Sequence, residues 1–233
     1  TEEKKIKLLS SGEVDIQLFT SSVTLDEVAV FAKRKDRNVS LNQMSIIEFD
    51  KALSFDSSFS AAYAGKAAAY YFLRDSYFEQ SKSAGYLQKA EENAKIAIRE
   101  DQSNAEAFAY LGLIYNAQYN WEAAASTFEV ALSLNPSDAL IYYWYGNVYR
   151  SMDKVEQALK YHEIAHNLDP LYPVIHAGYA YTCALAGEYE LADKLLNEWQ
   201  SVFEKSFLQE LVKGTNLMLQ EKYQEAMLHL EQS

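Results

Sequence analysis

The feature that most restricts this chain is a fixed period of 34 residues. The block AEAFAYLGLIYNAQYNWEAAASTFEVALSLNPSD, residues 105–138, returns in pattern from Ala139, again from Pro173, and in shortened form from Phe207. Such a period confines a chain to a stack of like units, none of which can bury its apolar face alone. Position 8 of the four blocks is Gly112, Gly146, Ala180 and Gly214, and position 20 is Ala124, Ala158, Ala192 and Ala226. Position 11 holds Tyr115, Tyr149, Cys183 and Leu217, and position 32 holds Pro136 and Pro170 in the first two blocks. Small residues in all eight slots mark where two antiparallel helices approach closely, with large side chains filling the spaces between. Each proline pushes the residue before it, Asn135 or Asp169, out of the α region and so ends the second helix of its block.

These residues at these spacings resemble the tetratricopeptide repeat (TPR) family. The resemblance implies an all-α fold of about twelve helices in six antiparallel pairs, wound as a right-handed superhelix behind a short irregular N-terminal arm. The expected division is an arm or linker over residues 1–22 and repeats over 23–59, 60–104, 105–138, 139–172, 173–206 and 207–233. In the arm, Val14-Asp15-Ile16-Gln17-Leu18 alternates apolar and polar residues, the pattern of a short strand or extended segment. Thr24, with Asp26 and Glu27 in the following turn, opens a helix that ends in the basic run Lys33–Arg37, suited to a helix C-terminus. A second helix over about Asn42–Ser54 places Phe49 and Ala52 at positions 24 and 27 of a degenerate first repeat. In the next repeat Tyr63, Ala67 and Tyr70 take positions 4, 8 and 11, and Gly85, Ala90, Ala94 and Ala97 take 15, 20, 24 and 27. Eleven extra residues, Arg74–Ala84, separate its helices and must lie at the surface, where their backbone groups can meet water.

The segments AYAGKAAAY, QKAEENAKIAI and NAEAFAYLGL, within about residues 25–115, are also similar to TPR regions that follow winged-helix or nucleotide-cyclase domains in bacterial regulators. This implies the sensing or partner-docking part of a larger protein, and a chain that stops within a repeat reads as a domain of one. That origin favours the cytoplasm, or the periplasm for a membrane-anchored regulator.

A net charge of −12, from 21 basic and 33 acidic side chains, disfavours general binding to nucleic acid or anionic lipid. A single cysteine excludes an internal disulfide framework. No apolar run approaches the roughly 18 residues of a membrane span. Catalytic signals are sparse, and no cofactor is implied. His162 and His166 have the spacing by which two imidazoles share a metal, but His162 fills a packing slot and no further ligand completes a set. His176 and Cys183 share a face at positions 4 and 11, where a structural role outweighs a nucleophile pair. Neither a glycine-rich phosphate loop nor a nucleophile elbow is present, so the chain reads as non-enzymatic.

The resemblance further implies that positions 2, 5, 9, 12 and 13 of each first helix line a concave face. In this sequence they give Ala64, Ala68, Tyr71 and Phe72; Glu106, Ala109, Leu113 and Asn116; Leu140, Tyr143, Asn147 and Arg150; and Val174, Ala177, Tyr181, Ala184 and Leu185. The candidate binding residues are Tyr71, Phe72, Asn116, Tyr143, Asn147, Arg150 and Tyr181, since aromatic rings beside amides and a guanidinium suit recognition. Position 5 carries Ala109 and Tyr143 where carboxylate-gripping members of the family have lysine, which argues against a chaperone-tail binder. The expected partner is a protein or peptide, or a small anionic ligand. The alternative is a self-associating domain that dimerises through a terminal repeat or the 74–84 loop.

Overall fold

The computed structural model describes residues 4–6, 16–18, 41–74, 83–202 and 207–231. The chain separates into two units, Thr1–Ser40 and Leu41–Ser233. In the first, β1 (Lys4–Ile6) pairs antiparallel with β2 (Ile16–Leu18), Lys5 opposite Gln17. Strand β2 falls within the alternating stretch of the expected arm. The helix expected from Thr24 and the basic run after it lie outside the described residues.

The second unit is all helix: α1 (Leu41–Phe55), α2 (Ser60–Leu73), α3 (Ser83–Glu100), α4 (Ala105–Ala117), α5 (Trp121–Leu134), α6 (Ala139–Ser151), α7 (Val155–Leu168), α8 (Pro173–Leu185), α9 (Tyr189–Val202), α10 (Phe207–Leu219) and α11 (Tyr223–Leu230). From α2 onward they form five antiparallel pairs, and α1, the expected second helix of the first repeat, packs against α2. First helices also pack on first helices, α2 on α4, α4 on α6, α6 on α8 and α8 on α10, so they line one side of the stack. Within the insertion, residues 75–82 lie outside the described residues.

The period reappears as backbone geometry. At position 15 of four successive repeats the chain turns through the left-handed region, at Tyr119 (φ 60°), Asp153 (φ 59°), Gly187 (φ 82°) and Glu221 (φ 61°). The next residue's N–H then closes back onto position 11: Asn120 to Tyr115, Lys154 to Tyr149, Glu188 to Cys183 and Lys222 to Leu217, each at 2.9 Å. This six-to-one closure satisfies a carbonyl that the end of the first helix would otherwise leave unpaired. Only Gly187 adopts that φ without steric conflict; the other three hold it because the packed helices on both sides fix the turn. Asn104, Asn120 and Asp138 cap the helices that follow them, Asn104 accepting from Ala107 N at 3.0 Å and Asp138 from Leu140 N at 2.9 Å.

The small-residue slots sit where helices meet. Ala124, Ala158, Ala180, Ala192 and Ala226 are buried. A Cβ at Gly112 would fall 2.7 Å from the Phe128 ring, and one at Gly214 would fall 2.6 Å from Leu230 Cγ. Position 8 therefore receives the side chain of position 24, and the same contact at Gly146 admits the His162 ring. Leu230 of the last helix thus belongs to an inward contact. Glu210, which departs from the repeat at position 4, is only 3% exposed and accepts from His229 Nδ1 at 2.6 Å. An acid is tolerated there because α11 brings a histidine to it, a pairing across 19 residues that the repeat pattern does not announce.

Candidate functional site

The side chains expected to form a groove divide into three kinds. Ala64, Ala109, Leu113, Ala177 and Ala184 are buried in helix contacts and present no surface, a correction to the lining read from the sequence. They are small or apolar, and the first helices close over them. Tyr143, Asn147, Arg150 and Tyr181 are half-buried, and the structure brings them together on α6 and α8. Arg150 stacks its guanidinium over the Tyr181 ring, 5.2 Å from the centroid. Tyr143 packs against Gly178 and lies 5.2 Å from the His162 ring, so its position is set by α7 and α8 together. Asn116 is half-buried near the end of α4.

Asn116 and Asn147 are alike in their hydrogen bonding. Among the described residues their Oδ1 atoms are buried with no hydrogen-bond partner, and neither side-chain amide makes another hydrogen bond. Their NH2 groups reach solvent and are open to an acceptor. Among the described residues Arg150 has no carboxylate at salt-bridge distance, although Arg99 pairs with Glu100. Tyr71 and Phe72 lie two repeats earlier on α2. They meet edge to face at 5.3 Å, Phe72 is 47% exposed, and Arg74 lies over the Tyr71 ring at 4.2 Å. Tyr71 and Phe72 thus belong to α2, and Arg150 and Tyr181 to α6 and α8.

At the opposite end of α4 and α6 sits a different set. Tyr110 OH donates to Glu106 Oε1 at 3.2 Å, and the Tyr110 ring lies 5.5 Å from Trp144. Glu106 is open to solvent yet closely surrounded by protein, and this crowding, with Asp138 nearby, raises its pKa against the lowering effect of the Tyr110 bond. Sequence reasoning placed Glu106 on the face but did not connect it to Asp138, which the loop before α6 brings close.

The histidines occupy structural positions. His162 Nε2–H donates to Tyr143 O at 3.1 Å, and Thr182 Oγ1 lies 2.8 Å from both His162 Nδ1 and Gly178 O. In a neutral ring the threonine hydroxyl donates to Nδ1, and burial, with the Arg150 charge adding to it, lowers the His162 pKa to about 3. His176 Nε2–H donates to Leu195 O at 2.8 Å, leaving Nδ1 to accept from His166 Nε2 at 3.0 Å. Both nitrogens of His162 and of His176 are thus engaged, and burial pushes the Cys183 thiol up to about 12. A thiol held so high is a poor nucleophile. Among the described residues no cluster of three or more His, Cys, Asp or Glu could hold a metal. A shallow hollow of about 630 Å³ is lined by Glu190, Asp193, Lys194, Asn197 and Glu198, all from α9, and is the flank of one helix rather than a cleft between elements.

Residues 127–160 match a family model described as tetratricopeptide repeat. No curated protein matches the chain. Among solved structures, pilF of Pseudomonas aeruginosa aligns at 20% identity with a TM-score of 0.60, covering 81% of each chain. A tetratricopeptide repeat protein from Parabacteroides merdae aligns at 16% identity and a TM-score of 0.60, over 82% of this chain and 70% of that one. YrrB, described as a TPR protein with an unusual peptide-binding site, aligns at 19% identity and a TM-score of 0.53, over 78% of this chain and 89% of its own. At these identities the likeness is one of fold. Residues 127–160 thus match a tetratricopeptide repeat, and the helical unit has the fold of tetratricopeptide-repeat structures.

Proposed function

We propose that the chain is a non-enzymatic binding module that takes an extended peptide, or a small ligand, with a localised anionic group against the first-helix face at α4, α6 and α8. The observation that carries this reading is Arg150, half-buried, stacked on Tyr181 and without a carboxylate partner among the described residues. A guanidinium fixed in this way can make a bidentate, charge-assisted contact. The amides of Asn116 and Asn147 add donors for carbonyl or carboxylate oxygens. The −12 net charge repels an acidic partner elsewhere, which favours one localised anion over a polyanion. A peptide-binding site is described for YrrB, which shares the fold. The resemblance of residues 25–115 to TPR regions of bacterial regulators supports a sensing or partner-docking role within a larger regulatory protein. Hydrogen-exchange footprinting with a peptide selected from a random displayed library tests the reading. Protection on α4, α6 and α8 is expected, and protection confined to α9 or α11 contradicts it.

The second reading is self-association. Phe207, Leu211, Met218, Tyr223, Met227 and Leu228 are exposed on α10 and α11. Apolar side chains concentrated on one terminal pair favour an interface there. The other expected interface, the 74–84 loop, lies mostly outside the described residues.

A further inference from the structure

Beneath the patch on α6 and α8, two residues depart from the repeat together. In the two preceding steps of the stack, position 24 of one repeat and position 10 of the next are both apolar. Ala94 and Ile114 share one core cluster, and Phe128 and Val148 share another. At the step from α7 to α8 both positions turn polar, as His162 and Thr182, and both side chains are fully buried. They meet: Thr182 Oγ1 lies 2.8 Å from His162 Nδ1. The other ring nitrogen reaches Tyr143 O at 3.1 Å, and the ring fills the notch left by Gly146. Tyr143 packs its own ring on Gly178, whose carbonyl oxygen lies 2.8 Å from Thr182 Oγ1. A closed circuit of contacts therefore runs from α6 through α7 to α8 and back.

Filling the core does not explain this exchange, because an apolar pair fills the same slots in the repeats before. A buried polar network whose members are bonded fixes one arrangement of the elements it joins, whereas an apolar contact is less particular about register. The groove residues stand directly on the residues so held. Tyr181 precedes Thr182 in α8, and Arg150 lies one turn beyond Gly146 in α6. Resting on the groove reading above, we infer that His162 and Thr182 are positioning residues for the anion site, holding α8 against α6 in the register that stacks Tyr181 on Arg150. Neither presents surface to a ligand, so their effect on binding passes through the guanidinium. An arginine already restrained by the Tyr181 ring gives up less freedom when an anion arrives, which is preorganisation of the site.

The test uses the whole chain and the double variant His162→Phe, Thr182→Val, which restores the pairing of Phe128 with Val148 and so keeps the core filled. Thr182→Val alone carries the same expectations where the double variant does not fold. The first measurement needs no ligand. In proton–nitrogen spectra of arginine-labelled protein, the Tyr181 ring displaces the Arg150 Nε–H resonance, with Tyr181→Leu as the undisplaced reference. The double variant is expected to lose most of that displacement, and Thr182→Ser, which keeps the hydroxyl, to retain it. Full displacement in the folded double variant overturns the inference and leaves the groove reading standing. The second measurement titrates two probes: a peptide selected on the wild type from a random displayed library, and a copy whose acidic residue is replaced by its amide. The double variant should bind the acidic peptide roughly 3-fold to 10-fold more weakly, the worth of restraining one long side chain, and the amide copy as well as the wild type does. Equal weakening of both probes overturns the inference, since general loosening of the fold does the same. If Arg150→Met binds the acidic peptide as tightly as the wild type, the groove reading falls, and the inference falls with it even where the Arg150 resonance responds.

Discussion

His162 occupies the position where neighbouring repeats carry Phe128, Leu196 and Leu230. A polar ring is held there by two neighbouring helices: α6 supplies Tyr143 O and the space left by Gly146, and α8 supplies Thr182 Oγ1. The ring stays neutral, with a pKa of about 3, chiefly through burial. Unfolded imidazole takes up a proton below about pH 6.5, while the folded ring does so only near its own much lower value. Protons are thus bound more by the unfolded state between these limits. Stability is full above the upper limit and falls as pH drops through the window, by about 1.4 kcal/mol per pH unit from this residue. Burial also lowers the pKa of His166, which adds to the fall in the same direction. Urea titrations at pH 7 and pH 5 should show this loss in the wild type and a smaller one in His162→Leu. An equal loss in both would remove His162 as its source.

At the scale of the elements, the repeat is a set of steric agreements between paired helices. Ala158 is fully buried on α7, so Ala158→Leu should overpack that contact and destabilise by about 1–3 kcal/mol in chemical denaturation. An unchanged midpoint would contradict the 34-residue register. The helix pairs from α2 onward and the small-residue slots were legible in the sequence because a period repeated four times averages out local noise. Left-handed turns at Tyr119 and Glu221 were not, since neither residue favours that φ; Asp153 tolerates it better, and Gly187 alone signals it plainly. The Glu210–His229 pair was hidden for a different reason: it replaces a repeat position with a contact particular to the last two helices. In the groove, Arg150, Tyr143 and Tyr181 were named because they hold the concave-face positions that the resemblance implies. Burial of Ala109, Leu113 and Ala177 depends on how tightly successive first helices pack, which spacing alone does not encode.

For the helical unit as a whole, two surfaces compete for a role. Met227 and Leu228 are 59% and 61% exposed on α11, and self-association would cover them. Light scattering over a concentration series should then show a dimer that Leu228→Glu converts to monomer. A monomer at all concentrations would leave the first-helix face as the functional surface. That face carries the central claim, and calorimetric titration of a library-selected peptide into wild type, Arg150→Ala and Tyr143→Ala tests it most directly. Arg150→Ala should keep its fold and lose about 1.5–3 kcal/mol of binding, the range for a hydrogen bond to a charged group, and Tyr143→Ala should also bind more weakly. Unchanged affinity in both variants would contradict the assignment of binding to the groove.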